Sequence, residues 1–412
     1  MVVYDVGAAG PVDIATAAHG TCDIVFVCDP TNPNVARHLD QLHQSGTVIA
    51  ISDPSARDVS GVAKVIGADG ITTFSEFQLD LTAAAAAECG LRFHDPTVVR
   101  LLTDKNAQRR ALREAGVDAT RNAAVDSPAD LAAAARAVGL PAVLKPRKGA
   151  ASADTHLIQT IEEAERVLRD AGGPFVLEEF LIGDPAAAGP GWGDFVSVES
   201  IVADGAIASS HVTGKLPLAP PFRETGQFAP STLDRPVADR VAAHAEAAVA
   251  ALGVRWGAVH TEVKLTPAGP RIVEVNGRLG GYVGDVHLRA GGPDLLRDAI
   301  AVALGLPVAE RAPGYRAVAF RHYVAAPPYL AVLERLDGID DLLRVPGVTH
   351  VDVRAEAGRV LDWRKGTQEC LAVVYGTAPD HRALARTVRR IAAAVRPRYA
   401  SAQRQPSEEI RS

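Results

Sequence analysis

Two short runs in which apolar and polar residues alternate, Val259 to Leu265 and Arg271 to Gly277, flank a turn rich in proline and glycine. Alternation with a period of two sends successive side chains to opposite faces of a strand, so the segment reads as a two-stranded hairpin. Glu262, Glu274 and Asn276 then leave it from one face. Three converging oxygen-bearing side chains suit a hard cation such as Mg²⁺, which bridges to substrate phosphates and keeps part of its water shell. Arg278 stands just beyond, placed to neutralise charge on a transferring phosphoryl group. An ordinary hairpin with a solvated face accounts for either strand alone. The combination, with Gly280 and Gly281 after the arginine, is what singles the segment out.

A chain of 412 residues implies roughly two to three domains and ample core. The net charge of -6 leaves no electrostatic footprint for nucleic acid. Cys22, Cys28, Cys89 and Cys370 form no Cys-x-x-Cys pair, which points to reduced thiols in a cytosol. No basic segment precedes an apolar stretch at the N-terminus and no run reaches the length of a membrane span, so a cytoplasmic protein is expected.

Up to about residue 95, short apolar strands (Val2 to Tyr4, Ile24 to Val27, Val48 to Ile51) alternate with helical patterns, the signature of a parallel sheet with crossover helices. The loop Gly7-Ala8-Ala9-Gly10 lacks the third glycine and the acidic residue of a dinucleotide fingerprint, and reads as a small-residue turn in a Rossmann-like unit. Thr103 to Asn106 opens a helix that Gly116 ends; Lys105 there has an ordinary solvated helix position as its competing explanation. Pro141 to Pro146 reads as a strand delivering Lys145 to its end, followed by the small-residue loop Arg147 to Ser152. Backbone N–H groups in such a loop can approach anionic oxygens, whereas the order of a Walker loop is absent and a basic surface turn competes. Phe175 to Gly183 adds an apolar strand ending in an acidic pair, Glu178 and Glu179.

Taken together, the strand lysine with its loop, the acidic hinge, the pair Glu262 and Glu274 with Asn276, and the trailing Arg278 resemble the ATP-grasp superfamily over residues 100 to 305. Two stretches, Asp194 to Glu199 running on to Phe222 to Ser231, and His260 to Leu265, resemble the L-amino-acid ligases, the dipeptide synthetases of the bacilysin-synthetase type. The resemblance implies an ATP-grasp fold of α/β and α+β class: a Rossmann-like parallel-sheet domain over 1–95, an ATP-grasp domain over 96–308 with a lid at about 116–181, a small C-terminal α+β domain over 309–400, and a disordered tail over 401–412. It also implies roles. Lys105 and Lys145 contact the phosphates of ATP, with Ser152 and Lys264 joining the nucleotide set. Glu178, Glu179 and Leu181 hold the adenine mostly through backbone groups, and Asp194 takes the ribose. Glu262, Glu274 and Asn276 ligate Mg²⁺ or Mn²⁺. Arg278 holds the γ-phosphoryl group and the carboxylate it meets, while Glu224 faces a substrate ammonium.

The implied reaction is ATP-dependent ligation of a carboxylate to an amine through an acyl phosphate, with Arg278, Glu224 and Lys145 as the catalytic set. Gln227 stands where such ligases commonly carry histidine, and Tyr282, after Gly281, where a bulkier aromatic limits the pocket. Both departures bear on which amino acids are accepted. The competing readings are another ATP-grasp enzyme, a purine-pathway ligase or a biotin-dependent carboxylase subunit, and a nucleotide-binding regulator without chemistry. Amino-acid-like substrates, and a monomer or homodimer, complete the expectation.

Overall fold

The computed structural model describes residues 1–308 and 314–401. Its first layer is a parallel sheet of Val2–Tyr4, Val25–Cys28 and Thr47–Ala50, hydrogen-bonded in that order. Helices Pro11–Ala18, Ala56–Ile66 and Leu79–Cys89 cover it. In the last of these, Ala83, Ala85 and Ala86 are buried, small side chains that allow close approach to a neighbour. A single helix was expected to open at Thr103, but Asp104 divides it. The Asp104 side chain accepts from the N–H groups of Asn106 and Ala107, ending Pro96–Thr103 and capping Lys105–Glu114.

Asn122–Val125, Phe175–Glu179, Ala142–Pro146 and His156–Ile158, adjacent in that order, make a four-stranded antiparallel sheet with a core of its own around Val125, Leu131, Leu144 and Phe175. The largest sheet has eight strands. It runs from the hairpin Gly269–Asn276 and Gly257–Thr266 through Phe195–Ala203, Ala206–Lys215 and Gly226–Ala229 to Val318–Ala325, Cys370–Ala378 and Val348–Val353. The expected separate C-terminal layer is therefore only partly separate: Val318–Ala325 pairs directly with Gly226–Ala229, covering backbone groups that would otherwise form an open edge. Ala331–Asp337, Val360–Leu361 and Arg396–Ser401 form a small second sheet. Most of the tail over 401–412 expected to be disordered lies outside the described residues. Among the described residues no helix is long and apolar enough to cross a membrane.

Register gives the large sheet a continuous polar face. Glu274 is opposite Glu262, Glu262 opposite Ser197, and Ser197 opposite Thr213. Two residues after Thr213, Lys215 is opposite Gln227, Gln227 opposite Arg321, and Arg321 opposite Tyr375. Directly opposed residues share a face, as do residues two apart, so both rows lie on one side.

Candidate active site

At one end of this face, Lys105 Nζ lies 2.9 Å from Glu274 Oε1 and donates to the Gly149 carbonyl at 2.9 Å. The helix that Asp104 caps thus brings its first residue onto the hairpin and onto the small-residue loop together. Glu262 faces His260, with Nε2 at 3.5 Å, and the other His260 nitrogen is 2.7 Å from Glu199 Oε1. Burial disfavours charge on this histidine, but Glu199 and Glu262 beside it outweigh that and lift its pKa to about 9. Burial likewise opposes ionisation of Glu199, and His260 with the Gly280 N–H overrides it, holding the carboxyl at about 2. The Gly280 amide donates to Glu199 at 3.0 Å, and a Cβ there would fall 2.6 Å from His260 Nδ1, so only glycine permits this approach.

Arg278 is fixed from a distant part of the chain. Its Nε lies 3.0 Å from Glu76 Oε2, and Nη1 donates to the Leu279 carbonyl at 3.0 Å. Lys145 Nζ meets Glu178 Oε2 at 2.9 Å, and the same carboxylate takes Arg109 through Nε at 3.1 Å and Nη2 at 2.8 Å. Burial pushes the Glu178 carboxyl up, yet the two cations win and hold it at about 2. Arg109 also donates to the carbonyls of Ile272 and Val273, tying the four-stranded sheet to the hairpin. The Glu178 side chain is therefore committed to ion pairs, and only its backbone is available to a nucleotide base. Glu179 pairs with Arg121 at 3.3 Å on the rim.

Beyond the acidic strand, Leu181 is half-buried and Asp194 packs so closely on Gly183 that a Cβ there would overlap it. Lys264 Nζ holds Asp194 Oδ1 at 2.7 Å. Ser152 has a left-handed backbone, and its loop is docked on the C-terminal segment: Thr367 donates to the Ala151 carbonyl at 2.9 Å and Asp154 to that of Arg364 at 2.7 Å.

Farther along the face, fully buried Lys215 contacts Glu224 at 3.0 and 3.2 Å and Gln227 Oε1 at 3.3 Å. Gln227 in turn donates to the Gly281 carbonyl at 2.6 Å. Tyr282 takes a left-handed conformation, φ 58°, its N–H bonded to the Ala8 carbonyl at 2.7 Å and its ring 3.8 Å from the Arg321 guanidinium. A tyrosine held there is costly and persists because its surroundings fix it. The Gly7–Gly10 turn, which sequence reading left without a role, thus walls the site through Ala8.

Glu262 and Glu274 with Asn276 offer the donor set of a hard cation. Among the described residues no three His, Cys, Asp or Glu cluster as a metal cage. Magnesium needs only one or two carboxylates when phosphates complete its shell, so the pair fits a cation shared with a polyphosphate.

Sequence reading gave no role to Arg109, Glu76 or Arg321, nor to Glu199 and His260, which it quoted only within the stretches that carry the resemblance. Arg109 had a signal, since it lies four residues after Lys105 on the same helix face. Glu76 had none, being 202 positions from its partner Arg278 (278 − 76).

No protein-family model matches the chain. It is 32% identical over 239 residues to the alanine–anticapsin ligase of Bacillus subtilis, covering 54% of this chain and 50% of that protein. It is 30% identical over 282 residues to human carnosine synthase 1, covering 61% and 33%. The chain thus spans half or less of these curated relatives. The crystal structure of an L-amino acid ligase from Bacillus licheniformis superposes with a TM-score of 0.74 at 19% identity, covering 97% of this chain and 98% of that one. With its four-stranded antiparallel sheet, its eight-stranded sheet carrying the hairpin and its N-terminal parallel sheet, the chain has the ATP-grasp fold. In sequence it is also similar, at 32% identity over 225 residues, to the alanine–anticapsin ligase of Bacillus amyloliquefaciens, covering 50% of this chain and 48% of that protein.

Proposed function

We propose that the protein is an ATP-dependent carboxylate–amine ligase that joins two amino acids or close analogues, releasing ADP and phosphate. The observation that carries this reading is the single sheet face: paired Glu262 and Glu274 with Lys105 at one end, and Lys215, Glu224 and Gln227 farther along it. One end handles phosphate; the other is built for small zwitterions.

A carboxylate is a poor acyl donor because its leaving group would be oxide. Attack of a carboxylate oxygen on the γ-phosphorus of ATP, with ADP leaving, gives an acyl phosphate. An amine then attacks the acyl carbon, phosphate leaves, and the amine's extra proton passes to solvent. The chain supplies position and countercharge for these steps. Lys105 and Lys145 face the phosphates, the Phe175–Glu179 strand with Leu181 borders the base, and Asp194 meets the ribose. Arg278, aligned by Glu76, meets the moving phosphoryl group. Glu262 and Glu274 with Asn276 would hold a divalent cation, Mg²⁺ or Mn²⁺, which when bound would offset charge on the phosphates. Glu224 partners the donor's ammonium while Lys215 holds its carboxylate in place. The loop at Ser152, docked on the segment around Thr367, excludes the water that would hydrolyse the acyl phosphate.

The test is a screen of amino-acid pairs with ATP and magnesium, scored by phosphate release and product mass. A product weighing the sum of its two substrates less one water, formed only when both are present, supports the reading. Phosphate release that depends on bicarbonate and ignores amino acids would replace it with a carboxylase-type reaction.

A further inference from the structure

Three arginines among the described residues are almost completely buried: Arg223, whose Nε and Nη2 donate to the Pro220 carbonyl, and Arg109 and Arg321, which differ sharply in how their donors are used. Arg109, 3% exposed, donates to Glu178 and to the carbonyls of Ile272 and Val273. Arg321, 4% exposed, has neither Nε nor Nη1 in any hydrogen bond among the described residues. Its guanidinium lies 3.8 Å from the Tyr282 ring and 5.2 Å from those of Tyr323 and Tyr375. Aromatic faces attract the cation but accept no hydrogen bond along the guanidinium plane, so stacking leaves the in-plane donors unsatisfied. Orphaned donors on a buried cation are expensive, and a structural arginine in this position would be paired.

The place of Arg321 in the fold says what completes it. It is directly opposite Gln227, which bonds both Lys215 and the carbonyl of Gly281, and it lies over Tyr282, four residues after Arg278. It therefore borders the amino-acid end of the face, away from Lys105 and Lys145. A buried guanidinium whose donors are unused matches a carboxylate, the anion suited to accept charge-assisted hydrogen bonds from it. A ligase joining two amino acids meets two carboxylates. One is activated, and in the proposed reaction that one belongs to Arg278. The other stays free on the amine-bearing substrate and persists in the product.

We propose that Arg321, walled by Tyr282, Tyr323 and Tyr375, binds the free carboxylate of the amine-bearing substrate and makes the enzyme select free amino acids over their carboxamides. This rests on the ligase reading above and adds to it a specificity-determining residue.

The experiment compares phosphate release with L-alanine plus each common amino acid, and with L-alanine plus each matching α-carboxamide, in the wild type, Arg321→Gln and Arg321→Lys. The wild type is expected to prefer free acids over carboxamides on the order of 100-fold in kcat/KM, the scale of a lost buried charge pair. In Arg321→Gln that ratio should collapse towards one, through KM for the amine-bearing substrate, with KM for ATP unchanged. Arg321→Lys should keep part of it. Because each variant supplies its own acid-to-amide ratio, a fall in the amount of folded protein does not imitate the effect. A wild-type preference retained by Arg321→Gln, or no preference in the wild type, overturns the assignment of Arg321 and leaves the ligase reading standing. Absence of amino-acid-dependent phosphate release from the wild type overturns that reading, and the assignment falls with it.

Discussion

Replacing Glu178 by Gln leaves Arg109 and Lys145 buried against an amide that cannot balance their charge. The Glu178 carboxyl is held at about 2 against an ordinary 4.5, a difference worth about 3 kcal/mol of folding free energy at neutral pH. Removing one member of a buried pair costs about 3–5 kcal/mol by comparison with other proteins, so the two routes agree. The sign of the pH dependence follows from the depressed value. The carboxylate's contribution is fully present above about 4.5 and is lost as pH falls towards about 2, so the gap between wild type and variant should narrow over that window. A protein with several sheets need not unfold in one step, so amide hydrogen exchange in the strands Ala142–Pro146 and Phe175–Glu179 is the assay, run at neutral and acid pH. Protection that drops by less than about 1 kcal/mol at neutral pH, or a deficit of the same size in acid, would refute the reasoning.

Glu274→Gln should abolish ADP formation with the fold retained, because an amide beside Glu262 cannot supply the missing charge; turnover measured across magnesium concentrations checks it, and near-normal rates at limiting metal remove Glu274 from the ligand set. Glu224→Ala leaves both the substrate ammonium and Lys215 without their partner, so kcat/KM for the amino acid should fall by about 2–5 kcal/mol while KM for ATP holds, as steady-state kinetics would show. Tyr282→Ala removes a ring from the wall of the amino-acid end and should admit bulkier substrates, by about 1–3 kcal/mol per added methylene in a competition assay; an unchanged substrate profile contradicts its placement there.

The hairpin was readable because period-two alternation survives in Val259 to Leu265 and Arg271 to Gly277, and its cross-strand register sets Glu262 opposite Glu274. The Lys145 strand was readable as a short apolar run between two prolines, ending in the lysine. What could not be read were ties between segments far apart in the chain, such as Arg109 to Glu178 and Arg278 to Glu76, since local pattern carries no information about tertiary partners. The extension of the large sheet into Val318–Ala325 was hidden in the same way. Nor does the charge of Arg321 within that largely apolar strand show locally that a face of other polar side chains receives it.

The central claim is that a carboxylate is activated by direct phosphoryl transfer on the face that carries Glu262, Glu274 and Arg278. Heavy-oxygen label placed in the donor carboxylate tests it most directly. The account predicts ADP as the nucleotide product and one labelled oxygen in the released phosphate. AMP with pyrophosphate, or label retained entirely in the amide product and water, would contradict it.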